Sequence, residues 1–265
     1  MKRKIRNIII VLLVVILCFS DVSYHVLAKK TDYSKYSTLK HEWGLALNAE
    51  HKVPGNGESG LFKGKNTYYY IHTKKKKIYL TFDCGYENGY TGKILDKLKK
   101  KKVKAIFFVT KSYIEYNKDL VIRMKEEGHL VGNHTVNHPS LPTCSVSKIE
   151  SEILDCEKCM KELTGYEMDK YIRPPMGEWS EQSLQVTKDL GYRTILWSMA
   201  FYDYDVDNQP GKDIIFNKFM QNYHKGAIVL MHAVSKSDTY AISSIIKEMR
   251  KKGYDFYQFE NLKDR

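Results

Sequence analysis

A single α/β domain built as a (β/α) barrel is the fold this sequence predicts, and three observations predict it. The chain has 265 residues, 43% of them apolar, enough to bury one large core. From residue 78 onward, short apolar stretches alternate with segments of helical periodicity, the pattern of parallel strands joined by right-handed crossovers. About seven such units follow one another without a Gly-rich phosphate loop, which favours a barrel, closed or incomplete, over an open doubly wound sheet.

Ile78 to Phe82 is the first apolar strand, and Gly92 to Lys102 is a helix that turns Ile94, Leu95 and Leu98 inward. Ala105 to Val109 is the next strand, followed by a helix through Leu120 to Glu127 and a short third strand at Leu130-Val131. Val146 to Leu163 is a long helix, because Ile149, Ile153, Cys156, Met160 and Leu163 recur at intervals of four and three and make one buried face. That face accounts for Cys156, with Cys159 beside it, as core residues rather than a redox pair. No second CxxC supports a zinc module. Tyr171-Ile172 is a strand, and Ser180 to Leu190 a helix. Arg193 to Trp197 is a strand, Lys212 to Asn222 a helix, and Ala227 to Met231 a strand. Tyr240 to Lys251 is the last helix and Tyr254 to Tyr257 a final strand.

Residues 1–28 read as an export signal, with an uncleaved membrane anchor as the alternative. Lys2 to Arg6 is basic, Ile8 to Phe19 is apolar but short for a span, and Val26-Leu27-Ala28 offers a cleavage point. Export argues against nucleic acid as a partner and for an envelope polymer; the net charge of +12 suits an anionic one. Residues 29–75 are polar and rich in Tyr and Lys, with a turn at Pro54-Gly55-Asn56-Gly57, and are expected to form an irregular N-terminal segment. The run Lys74 to Lys77 is either a solvated face or a polymer contact.

In such barrels the chemistry collects at the C-terminal ends of the strands. Asp83, His134, Arg173, Asp203 and His232 all fall at or just beyond strand ends. His134 and His138 are four residues apart, which on one turn of helix puts both rings on one face. That arrangement suits two ligands of a divalent metal such as zinc, at about 2.0–2.1 Å; the alternative is a pair of surface histidines near a turn. Asp83 is also readable as a turn or helix-capping residue, His232 as a packed histidine, and Arg173 as half of a surface salt bridge. Asp203 to Asp207 has some look of a calcium loop but lacks its Gly and terminal Glu.

Five segments come in a telling order: Thr81-Phe82-Asp83-Cys84-Gly85-Tyr86, His134 to His138, Arg173-Pro174-Pro175-Met176-Gly177, Asp203-Tyr204 and Leu230-Met231-His232. Together they resemble the motifs of the polysaccharide deacetylases, the NodB-homology or carbohydrate esterase family 4 fold, over residues 76–258. The resemblance implies a deformed (β/α)7-type barrel and a metal-dependent de-N-acetylation. By the same resemblance, Asp83 is the general base, His232 the general acid, Asp203 its hydrogen-bond partner and Arg173 the residue that orients Asp83. His134 and His138 are metal ligands, the Met176 amide completes an oxyanion hole, and Tyr204 and Leu230 line the acetyl pocket.

The segment Gly85-Tyr86 to Thr91 and the ending His232-Ala233-Val234 look most like the branch that makes muramic δ-lactam in spore-cortex peptidoglycan, with Tyr86 beside the substrate. That likeness implies an exported enzyme acting on peptidoglycan strands in the cell envelope or forespore intermembrane space, after a muramoyl amidase. Alternatives are an N-acetylglucosamine deacetylase and an inert glycan-binding wall protein. One residue departs from the family: Cys84 stands where most members have a metal-binding Asp. Its thiolate could bind zinc, it could be a bystander beside two histidines, or the site could be dead, so the ion's identity stays open between zinc and other divalent metals.

Overall fold

The computed structural model describes residues 31–47, 50–259 and 262, so the expected export signal or anchor at 1–28 lies outside the described residues. The chain divides into two compact units, residues 1–32 and 33–265, and the second carries everything below. Two short strands come first, β1 (His41–Glu42) and β2 (Thr67–Tyr68), then the long β3 (Lys77–Cys84). Next are α1 (Thr91–Lys101), β4 (Ile106–Val109), α2 (Lys111–Tyr116), α3 (Lys118–Glu126), β5 (Leu130–Asn133) and α4 (Val146–Thr164). The chain continues through β6 (Tyr171–Ile172), β7 (Glu178–Trp179), α5 (Glu181–Asp189), β8 (Arg193–Ile195) and α6 (Lys212–Asn222). It ends with β9 (Ala227–His232), α7 (Lys236–Lys251) and β10 (Asp255–Phe256). Among the described residues no helix is long and apolar enough to cross a membrane.

Strands β9, β3, β4, β5, β6 and β8 lie side by side in that order, all parallel. The sheet curls until the segment after β8 meets β9 through the parallel bridge Met199–Val229. This is the expected barrel in deformed form. Its weak quarter is visible in the pairing: β6 has two residues, and closure onto β9 rests on isolated bridges, Met199–Val229 and Tyr70–Ala227. The segment before residue 76, expected to be irregular, contributes to both sheets. β1 pairs antiparallel with β7, and β2 pairs parallel with β8.

The strand period decides which way each side chain points. Ile78, Leu80, Phe82 and Cys84 of β3 join the outer core beneath α1 and α7, with Ile94, Leu95, Ile242 and Ile246. Tyr79 joins the inner cluster with Ile106, Phe108, Ile195 and Ile228. Thr81 shares that inner face, donating to the Val229 carbonyl at 2.7 Å, and so does Asp83 at the strand's end. Adjacent residues 83 and 84 therefore belong to different environments.

One local expectation needs correction, and one helix was not foreseen. Leu163 does not complete the buried face of α4: it is half-exposed, while Ile149, Ile153, Cys156 and Met160 are buried. The helix closes at Gly165 in the left-handed conformation, so its last turn has already left the core. The helix expected from Leu120 to Glu127 is α3, and a further helix, α2, precedes it across Asn117.

Candidate active site

Asp83 ends β3 directly across from His232, which ends β9, in register on neighbouring parallel strands. Asp83 is almost fully buried. Its Oδ1 accepts from Arg173 Nη1 at 2.8 Å, while Oδ2 lies 3.7 Å from His134 Nε2. Burial alone would raise the Asp83 pKa, but the charges of Arg173, His134 and His232 outweigh it and hold the carboxyl below its ordinary range. Arg173 is no surface residue. Fully buried, it also donates Nε to the Ile195 carbonyl at 3.1 Å, and its guanidinium lies 4.4 Å over the Phe108 ring.

His134 and His138 do not sit on a helical turn as expected. They stand on the loop after β5, with Thr135 and His138 in the left-handed region at φ 70° and 55°. The loop's own sequence explains this. Asn133 Oδ1 accepts from the Thr135 amide at 2.8 Å, and the Thr135 hydroxyl accepts from the His138 amide at 3.1 Å. Glu152, reaching from α4, accepts from the Val136 and Asn137 amides at 2.9 and 2.8 Å. The helix-type bonds are replaced one by one, yet the rings still meet, with centroids 4.8 Å apart.

His134 Nδ1 lies 2.8 Å from the Arg173 carbonyl, which can only accept, so Nδ1 carries the proton and Nε2 presents a lone pair toward Asp83. Burial pushes its pKa down to about 4, and burial likewise lowers His138. Both rings are therefore neutral near pH 7, the form in which imidazole binds a metal. Two neutral imidazoles beside a carboxylate fit a divalent cation of borderline softness. Among the described residues, no group of three or more His, Cys, Asp or Glu side chains is arranged to hold one.

Cys84 points the other way, into the outer core, and is fully buried. Burial, helped by the charges of Asp83 and Glu87, raises its thiol well above the ordinary value, so the thiolate is strongly disfavoured. Replacing Cys84 by Ala should therefore leave metal affinity unchanged and turnover within about threefold, while costing about 1–2 kcal/mol for the lost core volume. Zinc titration by calorimetry checks it; a tenfold or larger weakening would make the sulfur a ligand.

On the other side of the cleft, His232 Nδ1 lies 2.9 Å from Asp203 Oδ1, and the His232 amide donates to Asp203 Oδ2 at 2.7 Å. Burial works against the imidazolium, but the hydrogen bond and charge of Asp203 more than compensate, so the His232 pKa is raised. Met176, at φ 58°, and Gly177, at φ 70°, make the sharp turn after Pro175. A Cβ at Gly177 would stand 2.7 Å from the Trp197 ring, so the turn needs glycine at that point. The cleft itself measures about 1060 Å³; Asp83, His134, His138, Met176, Tyr204 and His232 line it. Tyr86 and Leu230 line it as well. The Tyr204 ring stands edge-on to His232 at 5.6 Å. Asp205 caps the amides of Asp207 and Asn208 within its own loop, a local turn rather than a calcium cradle.

Sequence reasoning missed Glu152, which shapes the histidine loop, and Asp238, fully buried against Asp203. Glu152 was hidden on the helix face read only for its apolar stripe. Asp238 fell in the stretch between the strand at Ala227 to Met231 and the helix from Tyr240, left unassigned by sequence reasoning.

A family model described as polysaccharide deacetylase matches residues 71–195. The peptidoglycan-N-acetylmuramic acid deacetylase PdaA of Bacillus subtilis is 40% identical over 222 residues, spanning 83% of this chain and 84% of that protein. A peptidoglycan-N-acetylglucosamine deacetylase of Bacillus cereus is 33% identical over 250 residues, spanning 89% and 88%. The solved structure of B. subtilis PdaA, a family 4 carbohydrate esterase, superposes with a TM-score of 0.81 at 40% identity, covering 84% of this chain and 96% of that one.

Proposed function

Because the chain belongs to the polysaccharide deacetylase family, we propose that it removes the acetyl group from N-acetylmuramic acid in peptidoglycan. The observation that carries this reading is the pairing of Asp83 and His232 across β3 and β9, with a neutral two-imidazole site beside Asp83.

His134 and His138 would hold the divalent ion, zinc being the first choice. When bound, such an ion supplies Lewis acidity, making a water more acidic and an acyl carbon more electrophilic. Asp83, kept ionised by Arg173, takes the proton of the attacking water as its oxygen adds to the acetyl carbon. The Met176 amide would donate to the negative charge that grows on the acetyl oxygen. As the C–N bond breaks, His232 delivers its proton to the departing amine, and Asp203 stabilises the charged ring until then. Tyr204, Leu230 and Tyr86 bound the space for the acetyl group and sugar. Cys84 takes no part.

The freed amine can close onto the lactyl carboxyl of a muramic residue that lacks its peptide, giving the δ-lactam of spore cortex. A muramoyl amidase therefore acts earlier, and the enzyme works outside the cytoplasm, exported or anchored by residues 1–28. Incubation with amidase-treated glycan strands and zinc should release acetate, and mass spectrometry should find muramic residues that have lost a further water. Acetate without that loss of water would favour the second reading, deacetylation of N-acetylglucosamine, for which the B. cereus relative speaks. No acetate with any divalent ion would refute both.

The acid role has a pH signature. A general acid must be protonated, so turnover falls as pH rises through the His232 pKa, which Asp203 raises. Asp203→Asn should move this alkaline limb to lower pH and reduce kcat by about 10²–10³-fold. A pH–rate profile of the variant with an unshifted alkaline limb would remove His232 from the role.

A further inference from the structure

We propose that Asp238 is a neutral carboxylic acid whose O–H donates to Asp203, making a buried carboxyl–carboxylate–imidazole chain that positions His232. It lies in the first turn of α7, fully buried, as is Asp203. The two carboxyl groups lie close enough to interact, and two carboxylates buried together can share a hydrogen bond only if one of them holds a proton.

The ordinary explanation of an acid at this position fails. Ser235 is the N-cap of α7, and its hydroxyl accepts from the Asp238 amide at 3.0 Å, so Ser235-x-x-Asp238 has the spacing of a capping box. In that motif the acid reaches back to the N-cap amide. Here the Ser235 amide already donates to the His232 carbonyl at 3.0 Å. Asp238 turns inward instead. The Ser235 hydroxyl and the His232 amide face Asp238 and pull its pKa down, but the hydroxyl also bonds Gln209 Oε1 at 2.9 Å and the amide bonds Asp203 Oδ2 at 2.7 Å. Neither Asp238 oxygen accepts a conventional hydrogen bond, which a buried carboxylate could not sustain but a protonated donor can.

The direction of charge agrees. Burial and the neighbouring Asp203 charge raise the Asp238 pKa well above the carboxylate range. Burial would raise Asp203 too, but its bonds to Asp238 and His232 hold it below its ordinary value. Asp203 thus collects three donors: the His232 amide, the His232 ring and Asp238. The third fixes the plane of the Asp203 carboxylate, and through it the tilt of the imidazole. Asp238 touches no reacting atom and is a positioning residue.

This inference rests on the reading of His232 as the general acid, but its first test does not. Infrared spectra of wild type and Asp238→Asn at neutral pH, without metal or substrate, should differ by one C=O stretch of a protonated carboxylic acid, lost in the variant. Absence of that band in the wild type overturns the proposal whatever the substrate. Turnover supplies the second test. Asp238→Asn keeps a donor and should retain kcat within about threefold, whereas Asp238→Leu should lower kcat at least about tenfold with KM little changed. Asn failing as badly as Leu, or Leu lowering only thermal stability, would each refute the positioning role.

Discussion

Asp83→Asn should lower turnover by about 10²–10⁴-fold, the usual worth of a general base, while the chain stays folded and keeps its affinity for glycan. The change is nearly isosteric. The Asn oxygen can still accept from Arg173 Nη1, now 2.8 Å from Oδ1, so the barrel mouth keeps its shape. What is lost is the second carboxylate oxygen, the one facing His134 at 3.7 Å, and with it the carboxylate charge that lets Asp83 take a proton from water at neutral pH. The neutral imidazoles of His134 and His138 do not replace it, because their free nitrogens are the ones a metal would use. Acetate release from glycan strands measures the loss, and a pull-down on the same strands measures binding. Turnover within tenfold of wild type would take the base role from Asp83. Unchanged binding with no activity in either protein would instead identify an inert glycan-binding wall protein.

The strand ends were legible because period-2 and period-3.6 patterns are local, and a barrel turns them into a position. Asp83 and His232 closed apolar runs, and the fold set those runs side by side. Arg173 was legible as a residue but not in its environment: only the folded chain shows its guanidinium enclosed by Phe108, Ile195 and Asp83. The histidine pair was read as neighbours for the wrong reason. A spacing of four suggested a helical turn, whereas the rings meet because Asn133, Thr135 and Glu152 hold a loop with two left-handed residues. Cys84 shows the reverse. Sequence adjacency to Asp83 suggested a shared site, and strand alternation sends the two side chains to opposite faces. Asp238 was out of reach because a capping box and a protonated buried acid are written with the same residues.

Arg173→Met should be the most destabilising single change at the site, by about 3–5 kcal/mol, or about 10 °C in Tm. Methionine fills the guanidinium's volume, so packing against Phe108 is largely kept and the penalty is electrostatic. Asp83 is left as a buried carboxylate without its cation, and the Ile195 and Leu196 carbonyls lose their donors. The pH dependence has a definite sign. Asp83's folded-state pKa is below its unfolded value, so its contribution is present above the unfolded value and lost as pH falls through the folded one. In Arg173→Met the largest attraction opposing burial is gone, the Asp83 pKa rises, and the variant should recover part of its deficit at acid pH, where a neutral carboxyl is tolerated. The double variant Asp83→Asn/Arg173→Met should be more stable than Arg173→Met alone, because it removes the stranded charge. Urea unfolding of chelator-treated protein at neutral and acid pH measures all of this free of any metal contribution. Additive losses in the double variant, or a single variant that melts with the wild type, would mean that the buried pair does not hold Asp83 in place.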